Sequence, residues 1–94
     1  MDDAGETDHM LFMHASALGG PTRETRGVSI WVDDADAARA QRHATQALAA
    51  AGWKLSDLDS IMETTADDYF RACPSREAFE RARVHGIAWR FDDE

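Results

Sequence analysis

The side chains that could do chemistry in this sequence are four histidines and one cysteine. Histidine and cysteine ligate metals at characteristic spacings, and both serve as catalytic groups in enzymes. The sequence contains neither C-x-x-C nor H-E-x-x-H, the usual spacings of zinc sites. His9 and His14 are five residues apart, which places them on opposite faces of a regular strand. We therefore expect no metal ion and no cofactor.

The cysteine, Cys73, is the residue best suited to be a nucleophile. A thiolate forms when a cation or a helix N-terminus lowers the pKa, and Ser75 can begin a helix shortly after Cys73. Because Cys73 precedes that helix start, we expect a small packed residue at a break in the chain. A small enzyme, or an antitoxin-like inhibitor, that uses His14, Cys73 or His85 is the alternative. The absence of any P-loop or G-x-G-x-x-G motif favours a protein that is not an enzyme.

The net charge of −8 is concentrated at the two ends of the sequence. Residues 1–8 and 92–94 carry seven of the eighteen acidic residues, so eleven acids face ten bases in residues 9–91. We predict a disordered acidic tail at 1–8, a single domain at 9–91 and an acidic C-terminal tail at 92–94. Acidic tails disfavour nucleic acid as a partner.

The same composition indicates where the protein acts. An acidic N-terminus is unlike a signal peptide, and no apolar run approaches the ~20 residues that span a membrane. A single cysteine forms no internal disulfide, which suits a reducing compartment. We expect a cytoplasmic location. Nine of the ten basic residues are arginine and alanine is abundant, which indicates a GC-rich bacterial genome.

Hydrophobic periodicity places these residues on six elements in the order β-β-α-β-α-β. Alternation predicts strands at 9–17 and 26–32, joined as an antiparallel hairpin through a long turn at 18–25. Asp33 is the expected N-cap of the following helix, and Gly52 is its expected stop. Between them, apolar positions recur at helical spacing: Ala37, Ala40, Ala44, Ala47, Leu48 and Ala51.

The second half of the chain is less regular. Residues 54–64 are either a bent third strand with a bulge or a short helix capped by Ser56. We favour the strand, because the helix of a β-α-β unit connects its first strand to a further strand. A second helix is expected to begin at Ser75 and to end at Gly86, before an aromatic strand at 87–91.

These elements predict an α+β fold. We expect a two-layer sandwich with a four-stranded mixed sheet and both helices on one face, ferredoxin-like in general architecture. The run Ala49-Ala50-Ala51-Gly52-Trp53, then Tyr69, then Ala82-Arg83-Val84-His85-Gly86, resembles uncharacterised small bacterial α/β proteins of unknown function. The resemblance covers about residues 28–91 and implies the fold, with no site residues.

If both helices cover one face of the sheet, the other face is bare. Val28, Ile30 and Val32 would face the helices, which leaves Trp31 on the bare face. A bare face that carries a tryptophan is typical of a protein contact. We therefore expect an interaction or regulatory module, most simply a homodimer. The expected interface residues are Trp31, Phe12, Ser29 and Arg90.

Overall fold

The computed structural model describes residues 10–19, 24–64 and 74–92. The predicted tail at 1–8, His9, residues 20–23, residues 65–73 with Cys73, and residues 93–94 lie outside the described residues. Six elements follow one another along the chain. They are strand β1 (Met10–Gly19), strand β2 (Glu24–Asp33), helix α1 (Ala37–Ala50), strand β3 (Trp53–Thr64), helix α2 (Pro74–His85) and strand β4 (Ile87–Phe91). The α+β class is confirmed, and residues 54–64 belong to a strand rather than to a short helix.

The four strands form one sheet in the order β3-β1-β2-β4. Every neighbouring pair is antiparallel, which confirms the predicted β1–β2 hairpin. The expected mixed sheet is wrong, because β2 and β3 run in the same direction but β1 lies between them. The spatial order also does not confirm the ferredoxin-like architecture.

The two helices cover opposite faces of the sheet, so the expectation of both helices on one face is wrong. One core joins the buried side chains of α1 to the β-branched face of β2, namely Ala40, Ala44 and Leu48 with Val28, Ile30 and Val32. The second core joins α2 to the other face, namely Ala78, Phe79 and Ala82 with Trp31, Met10 and Ala88. Alternation along β1 and β2 puts apolar side chains on both faces, and each face needs its own cover.

Helix α1 begins three residues later than the sequence indicates. Asp33 was the expected N-cap, but its N–H donates to the Gly86 carbonyl at 3.0 Å and so belongs to the sheet. Asp36 is the N-cap instead, because its carboxylate accepts from the Arg39 N–H at 2.9 Å. The predicted stop is confirmed, since Gly52 has a φ of 93°, in the left-handed region that glycine favours.

Strand β3 is bent by two bulges, which confirms the irregularity predicted there. Its register against β1 shifts between His14 and Ala15 and again between Ser16 and Ala17. The extra residues are Asp59 and Ser56, which have no partner of their own in the ladder. A bulge redirects a side chain. The bulge between His14 and Ala15 brings the Asp59 side chain to His14.

Candidate functional site

The candidate site lies on the face of the sheet that carries α2. Helix α2 contacts chiefly β2 and β4, and its core also includes Met10 at the start of β1; beyond Met10 it leaves the β1 and β3 side of that face uncovered among the described residues. The strand registers place polar and apolar side chains together there. We call this surface the open sheet face; it comprises Phe12, His14, Ser16, Leu18, Ser29, Asp59, Ser60, Met62, Arg90 and Asp92. Met62 is 56% exposed, which shows that nothing described covers this end.

His14 lies at the centre of the open sheet face, between two carboxylates. Its Nε2 is 2.8 Å from Asp92 Oδ2, and its Nδ1 is 3.0 Å from Asp59 Oδ2. Asp59 is the extra residue of the bulge in β3, and Asp92 follows β4. The cluster of His14, Asp59 and Asp92, here called the His14 clasp, therefore links elements at the two edges of the sheet.

A glycine in β2 makes the longer of these connections possible. Strand β2 lies between β4 and β1, so the Asp92 side chain must cross β2 to reach His14. It crosses at Gly27, whose carbonyl accepts the Asp92 N–H at 2.9 Å. A Cβ at position 27 would overlap the Asp92 carboxylate. The clasp thus depends on the missing side chain of Gly27.

The clasp favours the charged form of His14. A neutral imidazole has one N–H and can donate to one carboxylate, whereas the imidazolium donates to both. The hydrogen bond that His14 donates to Asp92 raises the pKa of His14 above its ordinary value of 6.5; burial opposes this shift, and the hydrogen bond to Asp59 adds to it. All three side chains remain partly exposed, at 34% for His14, 55% for Asp59 and 49% for Asp92, so solvent weakens these interactions.

This geometry suits binding better than catalysis. Both ring nitrogens of His14 are engaged, so the histidine has no nitrogen available to accept a proton while the clasp is intact. The nitrogens point to opposite sides of the ring, so Asp59 and Asp92 do not converge on a single ion. Within residues 10–19, 24–64 and 74–92, no group of three or more histidine, cysteine or acidic side chains could hold a metal ion.

The structure brings together three of the four predicted interface residues on the open sheet face. Ser29 pairs with both His14 and Arg90, and Phe12 lies two residues before His14 on the same face. Trp31 is different, because α2 covers it and leaves it 1% exposed. The expectation of an exposed Trp31 is therefore wrong. Its ring contacts Phe12, its partner on the neighbouring strand, with centroids 5.1 Å apart, so it borders this surface under α2.

The alternative chemical residues do not gather around His14 within the described part of the chain. His85 is exposed and ends α2. Sequence reasoning missed Asp59 and placed Asp92 in a tail. One signal pointed to the clasp: Gly27 stands inside a strand, where glycine often marks the close approach of another group.

No protein-family model matches this chain, and searches of curated proteins and of solved structures give no match. None of the described helices has the length and apolar character needed to cross a membrane.

Proposed function

We propose that the protein is a small interaction module of the bacterial cytoplasm, which forms a homodimer and binds a protein partner through the open sheet face. The observation that carries this proposal is the composition of that face. Exposed apolar side chains lie at its two ends, and a fixed polar cluster lies between them. Protein interfaces combine these features, because apolar contacts supply affinity and oriented polar groups supply specificity.

The apolar ends supply the contact area. Met62 is 56% exposed beside Phe12 at one end, and Leu18 is 40% exposed at the other. Scattered single apolar side chains are common on protein surfaces. Here they flank one continuous surface built on two adjacent strands, β1 and β3, which supports a binding role.

The polar centre supplies orientation. The His14 clasp holds two carboxylates at set positions on either side of the ring, with Ser29 and Arg90 in the adjacent strands. Each carboxylate has further lone pairs, so it can accept hydrogen bonds from a partner while it stays bound to His14. A catalytic role would require His14 to give up one carboxylate. The intact arrangement therefore supports binding over an enzymatic reaction.

The experiment compares two matched substitutions to aspartate. Met62→Asp puts a charge on the open sheet face, and Val84→Asp puts the same charge on α2, where Val84 is 77% exposed. Wild type and both variants are used as bait in lysate of the source organism, and a captured protein is purified and titrated by calorimetry. We expect binding to wild type and Val84→Asp and its loss with Met62→Asp. Equal binding to both variants would contradict this use of the open sheet face.

A further inference from the structure

We infer that two copies of this chain associate through their β4 strands, which pair antiparallel to form one continuous sheet. This inference rests on the self-association in the proposed function and identifies its surface. The two edges of the sheet differ in a way that favours β4. Strand β3 is long, bulged twice and charged, with Lys54, Asp57, Asp59 and Glu63 along it. Bulges and charges are the features by which proteins keep an edge strand from pairing.

Strand β4 has no bulge and a single charged residue, Arg90. It reads Ile-Ala-Trp-Arg-Phe and pairs with β2 without a register shift. Its β-branched and aromatic residues favour extended structure. Among the described strands, β4 pairs with β2 alone, so its outer edge meets no other described strand.

The hydrogen bonds show which backbone groups point outward from β4. The Asp33 N–H donates to the Gly86 carbonyl, and the Asp92 N–H donates to the Gly27 carbonyl. In an antiparallel ladder, alternate residues direct their N–H and C=O groups toward the same neighbour. Ala88 and Arg90 therefore bond to β2, and Ile87 and Trp89 turn their backbone groups to the outer edge.

The side chains of the same two residues also need cover. Ile87 and Trp89 lie on the face that carries α1, opposite Val32 and Ile30 of β2. Helix α1 contacts β2 and β3, so the two side chains are only partly buried at the margin of its core. An added strand along this edge would extend the sheet beneath them and bring apolar partners alongside.

A second copy fits this edge because the strand is complementary to itself. A two-fold axis at Trp89 places Trp89 opposite the same residue of the second copy, and Ile87 opposite Phe91. Directly opposed aromatic and β-branched pairs stabilise antiparallel strands. On the other face Arg90 comes opposite Ala88, so no like charges oppose each other directly. The arrangement is isologous, as in most homodimers.

At the ends of the strand, the register brings no like charges of the described residues directly opposite each other. In this register, Asp92 of one copy comes opposite Gly86 of the other. Gly86 directly follows the basic end of α2, and a groove of about 250 Å³ there is lined by Arg81, His85, Ile87, Ala88 and Trp89. The Asp92 carboxylate itself is directed across β2 to His14, so the edge at this point offers the uncharged Gly86 to the backbone of the second copy. The equivalent pairing of two β3 strands would bring acidic edges together.

The test introduces a positive or a negative charge at Trp89, at the centre of the proposed interface. The oligomeric state of the full chain is measured by size-exclusion chromatography with light scattering. We expect wild type to be a dimer. Trp89→Lys and Trp89→Glu should each be folded monomers by circular dichroism, because like charges then face each other across the axis. An equal mixture of the two variants should recover the dimer, which a mere folding defect would not do. Met62→Asp, on the open sheet face, should remain a dimer.

Amide hydrogen exchange in wild type tests the pairing without any substitution. The outward N–H groups of Ile87 and Trp89 should exchange about tenfold or more slowly in the dimer than in diluted monomer. A wild-type monomer would overturn both the self-association and this inference. A wild-type dimer with unprotected Ile87 and Trp89 amides, or one that persists in Trp89→Lys, would overturn the β4 pairing alone. If β4 instead binds a strand of a different protein, the isolated chain should be a monomer. That result would also overturn the inferred pairing of two β4 strands.

Discussion

Replacing His14 by glutamine should destabilise the protein by an amount that depends on pH. Glutamine keeps a hydrogen-bonding side chain of similar length but cannot carry the positive charge that binds both Asp59 and Asp92. The difference in unfolding free energy between wild type and His14→Gln therefore measures the charged clasp.

The direction of the pH dependence follows from the pKa of His14, which is higher in the folded chain than its ordinary value of 6.5. A group whose pKa is raised on folding binds its proton more tightly in the folded state. Its stabilising contribution is complete below the ordinary pKa and is lost as the pH rises through the folded-state pKa. The destabilisation by His14→Gln should therefore be larger in mild acid than in mild alkali.

The magnitude is limited by exposure, since the three side chains are 34%, 55% and 49% exposed. Exposed ion pairs contribute about 0.2–1 kcal/mol each, so the two contacts together should contribute about 1 kcal/mol. For a domain of this size, a loss of 1 kcal/mol lowers Tm by about 4–8 °C. The effect should also decrease with added salt, because salt screens exposed charges.

The assay is urea unfolding of wild type and His14→Gln at about pH 5.5 and about pH 8.5, on either side of the ordinary histidine pKa. His43→Gln, which replaces an exposed histidine on α1 outside the clasp, is the matched control for the change of histidine to glutamine. NMR titration of the histidine rings should give His14 a midpoint above 6.5. An equal loss of stability by His14→Gln at both pH values, with an unshifted midpoint, would refute the clasp.

Two further substitutions test the local structure around these elements. Gly27→Ala should displace the Asp92 carboxylate that its Cβ would overlap, lower the NMR titration midpoint of His14, and cost about 0.5–1 kcal/mol. Gly27→Ala and His14→Gln break the same contact between His14 and Asp92. His14→Gln should therefore lower the unfolding free energy less in the Gly27→Ala variant than in wild type. Full additivity of the two losses would argue against this shared contact. Asp36→Ala should cost about 1 kcal/mol in urea unfolding, since it removes the N-cap of α1. Asp33→Ala should cost clearly less, and the reverse order would contradict the assigned cap.

The elements of the fold were predictable because their signals are local. Alternation along Val28, Ile30 and Val32 indicates a strand, and alanines at helical spacing followed by Gly52 indicate a helix and its end. The position of the cap was less predictable, since three aspartates lie within four residues and each can cap a helix. The hydrogen bond from Asp33 to Gly86 excludes Asp33 as the cap of α1. This bond depends on a segment more than fifty residues away in the sequence.

The placement of the helices was not predictable in this way. Trp31 on the face opposite the β-branched residues is equally consistent with an exposed contact and with a second core. Only the packing of Phe79 against that face distinguishes them. The His14 clasp was hidden for a related reason, because its hydrogen bonds join residues 45 and 78 positions apart.

The staggered placement of the two helices accounts for both proposed surfaces. On one face α1 contacts β2 and β3, which leaves the β4 side chains Ile87 and Trp89 only partly covered. On the other face α2 contacts β2 and β4, which leaves β1 and β3 open around His14. The uncovered regions therefore lie on opposite faces and toward opposite edges of one sheet. A second copy at β4 and a different protein on the β1 and β3 part of the open sheet face would bind at different places, so a dimer of this kind presents two copies of the His14 clasp at once.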